Sequence, residues 1–279
     1  MAVVPSKGDA VEAVSRRSFL TGITAALAGF AAGGDSSATE ATSATYELIG
    51  GNWFDGNQFK AAHFYSVDGI LTSTKPVHID STIDLSGKYV IPPFGEAHNH
   101  NIEAGPDIDS LLQRYLHDGV FYIKNPNNPE GTKAALLGKI NTPTSVDAVF
   151  SNGGLTASGG HPIGVAERNL RRGGKADVWS DGNFYFVVDS EADLDAKWDA
   201  ILAGHPDFVK TYLQYSEEYQ QRKNDPAYFD WKGLNPALLP HIVRRAHGSK
   251  LRVSTHIETA TDFQDRKSTR LNSSHPYRS

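Results

Sequence analysis

From residue 89 onward the chain alternates short apolar segments with stretches of helical periodicity, and that rhythm is what most limits the folds open to it. Segments 120–124, 146–151, 208–213 and 251–256 are brief and rich in β-branched and aromatic residues, as strands are. Between them, 106–118, 130–140, 190–203 and 236–247 read as helices. Ser190 with Asp193 three residues on makes a capping-box-like start, and Asn235 ahead of Pro236 offers an N-cap followed by proline in the first turn. Strand alternating with helix implies a parallel sheet crossed by helices.

The chain upstream behaves differently. Segments 46–50, 59–66, 69–73 and 82–85 read as short strands parted by the turn residues Asp55-Gly56-Asn57, Asp68-Gly69 and Ser86-Gly87. Residues 46–88 are thus expected to form part of a small antiparallel β-sandwich domain, which needs partners from elsewhere in the chain because so few strands cannot close on themselves. Residues 35–45 are a Ser/Thr/Ala linker. Ahead of it, Ser15-Arg16-Arg17-Ser18-Phe19-Leu20 leads into a weakly hydrophobic run ending at Ala32, the pattern of a twin-arginine export signal over residues 1–34. That apolar run is too short and too rich in Gly and Ala for a stable membrane span. The expectation is an exported protein, periplasmic or extracellular, that passes the twin-arginine machinery already folded. At the other end, 266–279 carries four basic residues, no acidic one and a single aliphatic side chain. It reads as a translated adapter or vector-derived tail, outside the fold.

Composition removes several classes of chemistry. There is no cysteine, which excludes thiolate metal sites, disulfides and a cysteine nucleophile. With residues 1–34 and 266–279 set aside, 20 basic against 30 acidic residues leave a net charge of −10. Nucleic acid and anionic membranes are disfavoured partners, and a small-molecule substrate is the expected one; the oligomeric state stays open.

His98 and His100 end the apolar run 89–97, and on a strand residues two apart face one side. With eleven histidines in 279 residues one His-x-His arises easily by chance, so context must carry the assignment. The parity of two later strands supplies it. Val209 and Leu213 suit packing on helices, which turns Lys210 to the interior; Leu251, Val253 and Thr255 face outward, which turns His256 inward. Taken singly, Lys210 suits an ion-paired strand lysine and His256 a satisfied core histidine. Asn99, Asn101, Tyr212 and Thr255 are weaker candidates for the site, whereas His63, His78, His117, His205, His241 and His247 read as structural or solvated.

His-x-His after strand one, lysine in strand four and histidine ending strand five resemble the amidohydrolase superfamily, in particular exported members similar to imidazolonepropionase and prolidase-type enzymes. The resemblance covers 46–265 and implies a TIM (β/α)8-type barrel, here partial with about five strands over 89–265 because a full barrel takes roughly 250 residues. It implies that His98, His100, Lys210 and His256 ligate one or two divalent metal ions, zinc foremost, with Lys210 bridging as a carbamate. A lysine must shed its charge before it can ligate a cation. The chain departs from the family pattern at Pro92-Pro93 and at Glu96, where the family has aspartate; Glu96 is expected to support the ligands from behind. His161, after the glycine-rich 152–160 segment, is expected either to face substrate or to lie on a surface loop. The family's histidine of strand six and aspartate of strand eight, the latter the general base, have no counterpart, which makes the polypeptide as written a truncated fragment without activity. The implied reaction is hydrolysis of a C–N bond in an amide, dipeptide or cyclic amide by metal-activated hydroxide. A non-catalytic exported binding or scaffold protein on the same fold is the alternative, and a one-metal hydrolase with unmodified Lys210 is a third reading.

Overall fold

The computed structural model describes residues 44–102 and 105–271, with side chains as far as 265. The expected export signal, nearly all of the linker and the last part of the expected tail lie outside the described residues. In the small sheet, β1 (Tyr46–Phe54) is central. It pairs antiparallel with β2 (Phe59–Val67), and β2 pairs antiparallel with β3 (Ile70–Thr72). On the other side of β1 lie β4 (Ser81–Asp84) and β5 (Tyr89–Val90), both parallel to it. The sheet is therefore mixed, where a purely antiparallel one was expected. The turns are those the sequence signals: Asp55 Oδ1 accepts from the amides of Asn57 and Gln58, and Asp68 and Gly69 both take positive φ, as a tight hairpin turn requires.

A single strand running from residue 89 to the histidines does not form. Pro92 and Pro93 have no amide hydrogen to give to a ladder, so the chain leaves the small sheet after β5 and begins again as β6 (Phe94–Glu96). Helix α1 (Ile108–His117) leads into β7 (Val120–Asn125), and the single turn α2 (Thr132–Ala135) precedes β8 (Asp147–Phe150). The expected helix 130–140 is cut to that one turn by Gly131 and Gly138, both at positive φ. Then follow β9 (Gly154–Thr156), α3 (Ile163–Arg171), β10 (Tyr185–Val187), α4 (Glu191–Ala203), β11 (Phe208–Tyr212), the turn α5 (Tyr219–Arg222), α6 (Leu239–Gly248), β12 (Arg252–His256) and α7 (Ala260–Leu271). Strands β9 and β10 and helix α3 are not among the elements expected from sequence.

These strands are parallel and run β6-β7-β8 in one sheet and β10-β9-β11-β12 in the other. β8 ends at Phe150 and β9 begins at Gly154, the two strands belonging to different sheets. Asp207, just ahead of β11, ties the sheets together: its amide donates to the Phe150 carbonyl and its carboxylate accepts from the Phe150 amide, each at 2.8 Å. Among the described residues seven parallel strands result, β6 to β12, where the alternation implied about five. Helices cover the outside through matched faces. Leu194, Trp198 and Ile201 of α4 pack with Val209, Ile242 and Ala246, while Ile108, Leu112 and Leu116 of α1 pack with Ile123, Ala148 and Phe150.

The last strand and helix are fastened by one carboxylate. Thr259 Oγ1 accepts from the Asp262 amide and Asp262 accepts from the Thr259 amide, a reciprocal cap on α7. Asp262 is fully buried and accepts as well from the amides of Glu258, Tyr215 and Ser216, so the segments leaving β11 and β12 share one anchor. Burial pushes its pKa up, but the amides of Glu258, Ser216 and Thr259 outweigh this and hold it below the usual carboxylate value. Asp262→Ala leaves buried amides without an acceptor and is expected to cost about 2–4 kcal/mol in urea unfolding; a loss under about 0.5 kcal/mol would show that the anchor is replaceable.

Candidate metal and substrate site

β6, β11 and β12 bring His98, His100 and His256 to one cavity of about 360 Å³, with His161 ahead of α3 as a fourth imidazole. His98 and His100 follow the end of β6, and their Nε2 atoms are 3.0 Å apart. The proton positions follow from the neighbours. A carbonyl can only accept, so His100 Nδ1 donates to Asn127 O at 3.3 Å and its neutral ring keeps a lone pair on Nε2. His98 Nε2 is then the donor in the pair. His256 Nε2 donates to Glu258 Oε1 at 2.9 Å, leaving its lone pair on Nδ1. His161 Nδ1 lies 3.2 Å from Asp230 Oδ1, and its ring stands 5.5 Å from that of His256. A neutral His161 held in this way offers the cavity an acceptor at Nε2.

The rings of His98, His100 and His256 are held in the uncharged form that binds cations. Burial, then Lys210 and His100, pushes His98 down to about 4, and burial also keeps His100 and His256 below the ordinary imidazole value. Residues 98 and 100 remain exposed on their outer side, where water screens part of this effect.

Lys210 lies in the middle of β11, between β9 and β12, and is only 2 % exposed. Burial, and then the charge of Lys124, lowers its pKa to about 7. Among the described residues it has no carboxylate partner, and its ammonium sits 4.9 Å from the Tyr212 ring. Gly154 makes room for it: a Cβ there would stand 3.1 Å from Lys210 Cγ, 2.7 Å from Asn127 Oδ1 and 2.6 Å from Tyr212 Cε2. The Tyr212 phenol is fully protonated, because burial and then Asp230 raise its pKa.

The other candidates separate cleanly. Glu96 is exposed on β6, where it pairs with Ile123 of β7, and its carboxylate makes no hydrogen bond to a described residue. Asn99 turns away to the Tyr115 hydroxyl, which Asn101 also reaches, and Thr255 bonds Thr211 across the sheet. His63, His78, His117 and His241 pair with carboxylates outside the cavity. Asn127, Asp230 and Glu258, which position the imidazoles, carried no signal in the sequence because each meets its histidine only through the fold.

Among the described residues no three His, Asp or Glu side chains gather closely enough to hold a metal ion. His98 and His100 are in contact, while His256 is drawn to Glu258. The chemistry of the donors nevertheless fits a divalent cation: neutral imidazoles with fixed tautomers, and a buried amine near neutrality.

No family model matches the chain, and no curated protein sequence matches it. Solved structures do. The chain is similar to A. niger ochratoxinase with a TM-score of 0.58 at 13 % identity, over 81 % of this chain and 58 % of that one. It is similar to a Xaa-Pro dipeptidase with bound methionine in the active site, with a TM-score of 0.55 at 12 % identity, over 81 % and 60 %. A third, described as an amidohydrolase, gives 0.52 at 16 %, over 81 % and 59 %. The fold of this chain is the amidohydrolase fold, and the chain spans less than two thirds of the length of each of these structures.

A buried lysine without an anion makes a measurable demand on folding. Between pH 7 and about 9.5 the unfolded chain keeps a lysine proton that the folded chain has released, so stability rises with pH across that window. Lys210→Met is expected to flatten that rise in urea midpoints and to stabilise the metal-free protein by about 1–4 kcal/mol. A variant less stable than the parent at pH 7 would mean that the ammonium has a compensating partner.

Proposed function

We propose that the chain carries the metal-binding part of an exported, metal-dependent hydrolase of C–N bonds in amides, dipeptides or cyclic amides. The observation that carries the proposal is that His98, His100 and His256 line one cavity while the partly deprotonated Lys210 lies buried close enough to act on all three electrostatically, in an amidohydrolase fold. These four residues would hold the cation, zinc foremost, in one or two sites. When bound, such a cation polarises a carbonyl and makes hydroxide available near neutral pH. Lys210, as the free amine that its surroundings favour, is in the form that takes up carbon dioxide as a carbamate and so becomes an anionic oxygen donor. The Asn127 carbonyl fixes the His100 ring with its lone pair toward His98, and Glu258 does the corresponding work for His256. Tyr212 offers a phenol proton to a substrate oxygen, and His161, steadied by Asp230, offers a second polar contact. Export through the twin-arginine route rests on Arg16-Arg17 and the run that follows them.

Zinc content of the purified full chain tests this reading without reference to turnover. After reconstitution with zinc and bicarbonate the protein is expected to retain close to one equivalent or more. His98→Ala and His256→Ala should each weaken zinc affinity at least about tenfold, and omission of bicarbonate should lower the stoichiometry. Retention below about 0.2 equivalents would favour a non-catalytic binding protein on this fold, and retention indifferent to bicarbonate would favour a single metal with unmodified Lys210.

A further inference from the structure

We infer that the wall of the cavity built by α3 and the 179–184 segment is a subsite for an aromatic ring, so that the substrate is an amide bearing an aromatic, uncharged side group. This deepens the reading above and rests on it for the reacting end of the substrate. The wall itself is read from different residues. Pro162, Val165 and Asn169, three and then four positions apart, present one face of α3 to the cavity. Trp179 and Phe184 stand across from this face as an edge-to-face pair with ring centroids 4.5 Å apart, and Tyr212 adds a third ring. An arriving aromatic ring finds both faces and edges to meet, the arrangement that aromatic pairs prefer.

The seat of Trp179 is fixed. Gly174 approaches so closely that a Cβ would stand 2.7 Å from the indole Cδ1 and Nε1. The indole therefore packs against backbone, and that limits where it can go.

Charge and size narrow the occupant. The side chains lining this cavity are His, Asn, Pro, Val, Trp, Phe and Tyr, with neither carboxylate nor guanidinium among them. A charged side group seated on the α3 and Trp179 wall would be taken from water with no opposite charge on that wall to pair it, a larger penalty than a missing apolar contact. A cavity of roughly 150 Å³ suffices for benzene. At about 360 Å³ the space here takes a ring and the amide attached to it.

The test is ligand titration of the full chain by saturation-transfer NMR, with EDTA and again with zinc. The probes are N-acetyl-phenylalaninamide and N-acetyl-aspartamide. The phenyl probe is expected to bind under both conditions through its ring protons, about tenfold or more tighter than the acidic probe. Trp179→Ala should weaken it about tenfold, and Val165→Phe, which fills the space from the helix side, should do the same. Equal binding of the two probes, no binding of the phenyl probe at millimolar concentration, or undiminished affinity in both variants would each overturn the inference. The two readings fail separately: phenyl binding through Trp179 in a protein that takes up no zinc removes the metal and keeps the subsite. Zinc uptake with both variants unaffected does the reverse.

Discussion

An amine buried beside neutral imidazoles, with no anion to meet it among the described residues, is the constraint around which the rest of this structure is arranged. Bringing Lys210 down to about 7 from its ordinary value is worth on the order of 5 kcal/mol against folding near neutral pH. That is comparable to the whole net stability of a marginal domain. The position of β11 shows how the fold bears it. The strand lies between β9 and β12, all five of its residues are buried, and its Val209 joins a cluster that includes Leu194, Trp198, Ile242 and Ala246. A core of that size can carry one unfavourable group. At the edge of the sheet the same lysine would bend into water and keep its proton.

Around that amine, polar order comes from backbone and carboxylate contacts instead of from the imidazoles themselves. The Asn127 carbonyl and Glu258 each accept a hydrogen bond from one histidine, and Asp230 pairs with a third, so these contacts set which nitrogen faces the cavity. Asp262 works at longer range. By accepting amides from both Tyr215–Ser216 and Glu258–Thr259 it couples the loop after Lys210 to the loop after His256, so a disturbance in either is felt in both.

His98, His100, Lys210 and His256 were legible in the sequence because strands alternate with period two and parallel barrels collect side chains at strand ends. Parity applies to Lys210 on β11 and His256 at the end of β12, whereas His98 and His100 lie beyond β6 and reach the cavity from the segment that follows it. What escaped notice was local structure with weak periodicity and contacts made only at long range. Helix α3 is nine residues long and follows a glycine-rich segment that reads as loop, while β10 has three residues, too few to show any alternation. Asp230 meets His161 across 69 positions, and nothing near either residue announces it. Thr259 and Asp262 obey the same capping rule as Ser190 and Asp193, so the start of α7 carries the same local signal as the start of α4. The helix continues through Leu271, beyond the limit expected at Asp265.

Gly154 shows how evolvable the two ends of the cavity are. At the imidazole end, Lys210, Tyr212 and Asn127 are seated against bare backbone, and any side chain at 154 would collide with all three at once. Change there is all or nothing. On the α3 wall, Val165 and Asn169 project from a helix that tolerates exchange of one side chain at a time. Side chains on the α3 wall can therefore change one at a time, while the arrangement of Lys210, Tyr212 and Asn127 stays frozen by steric exclusion.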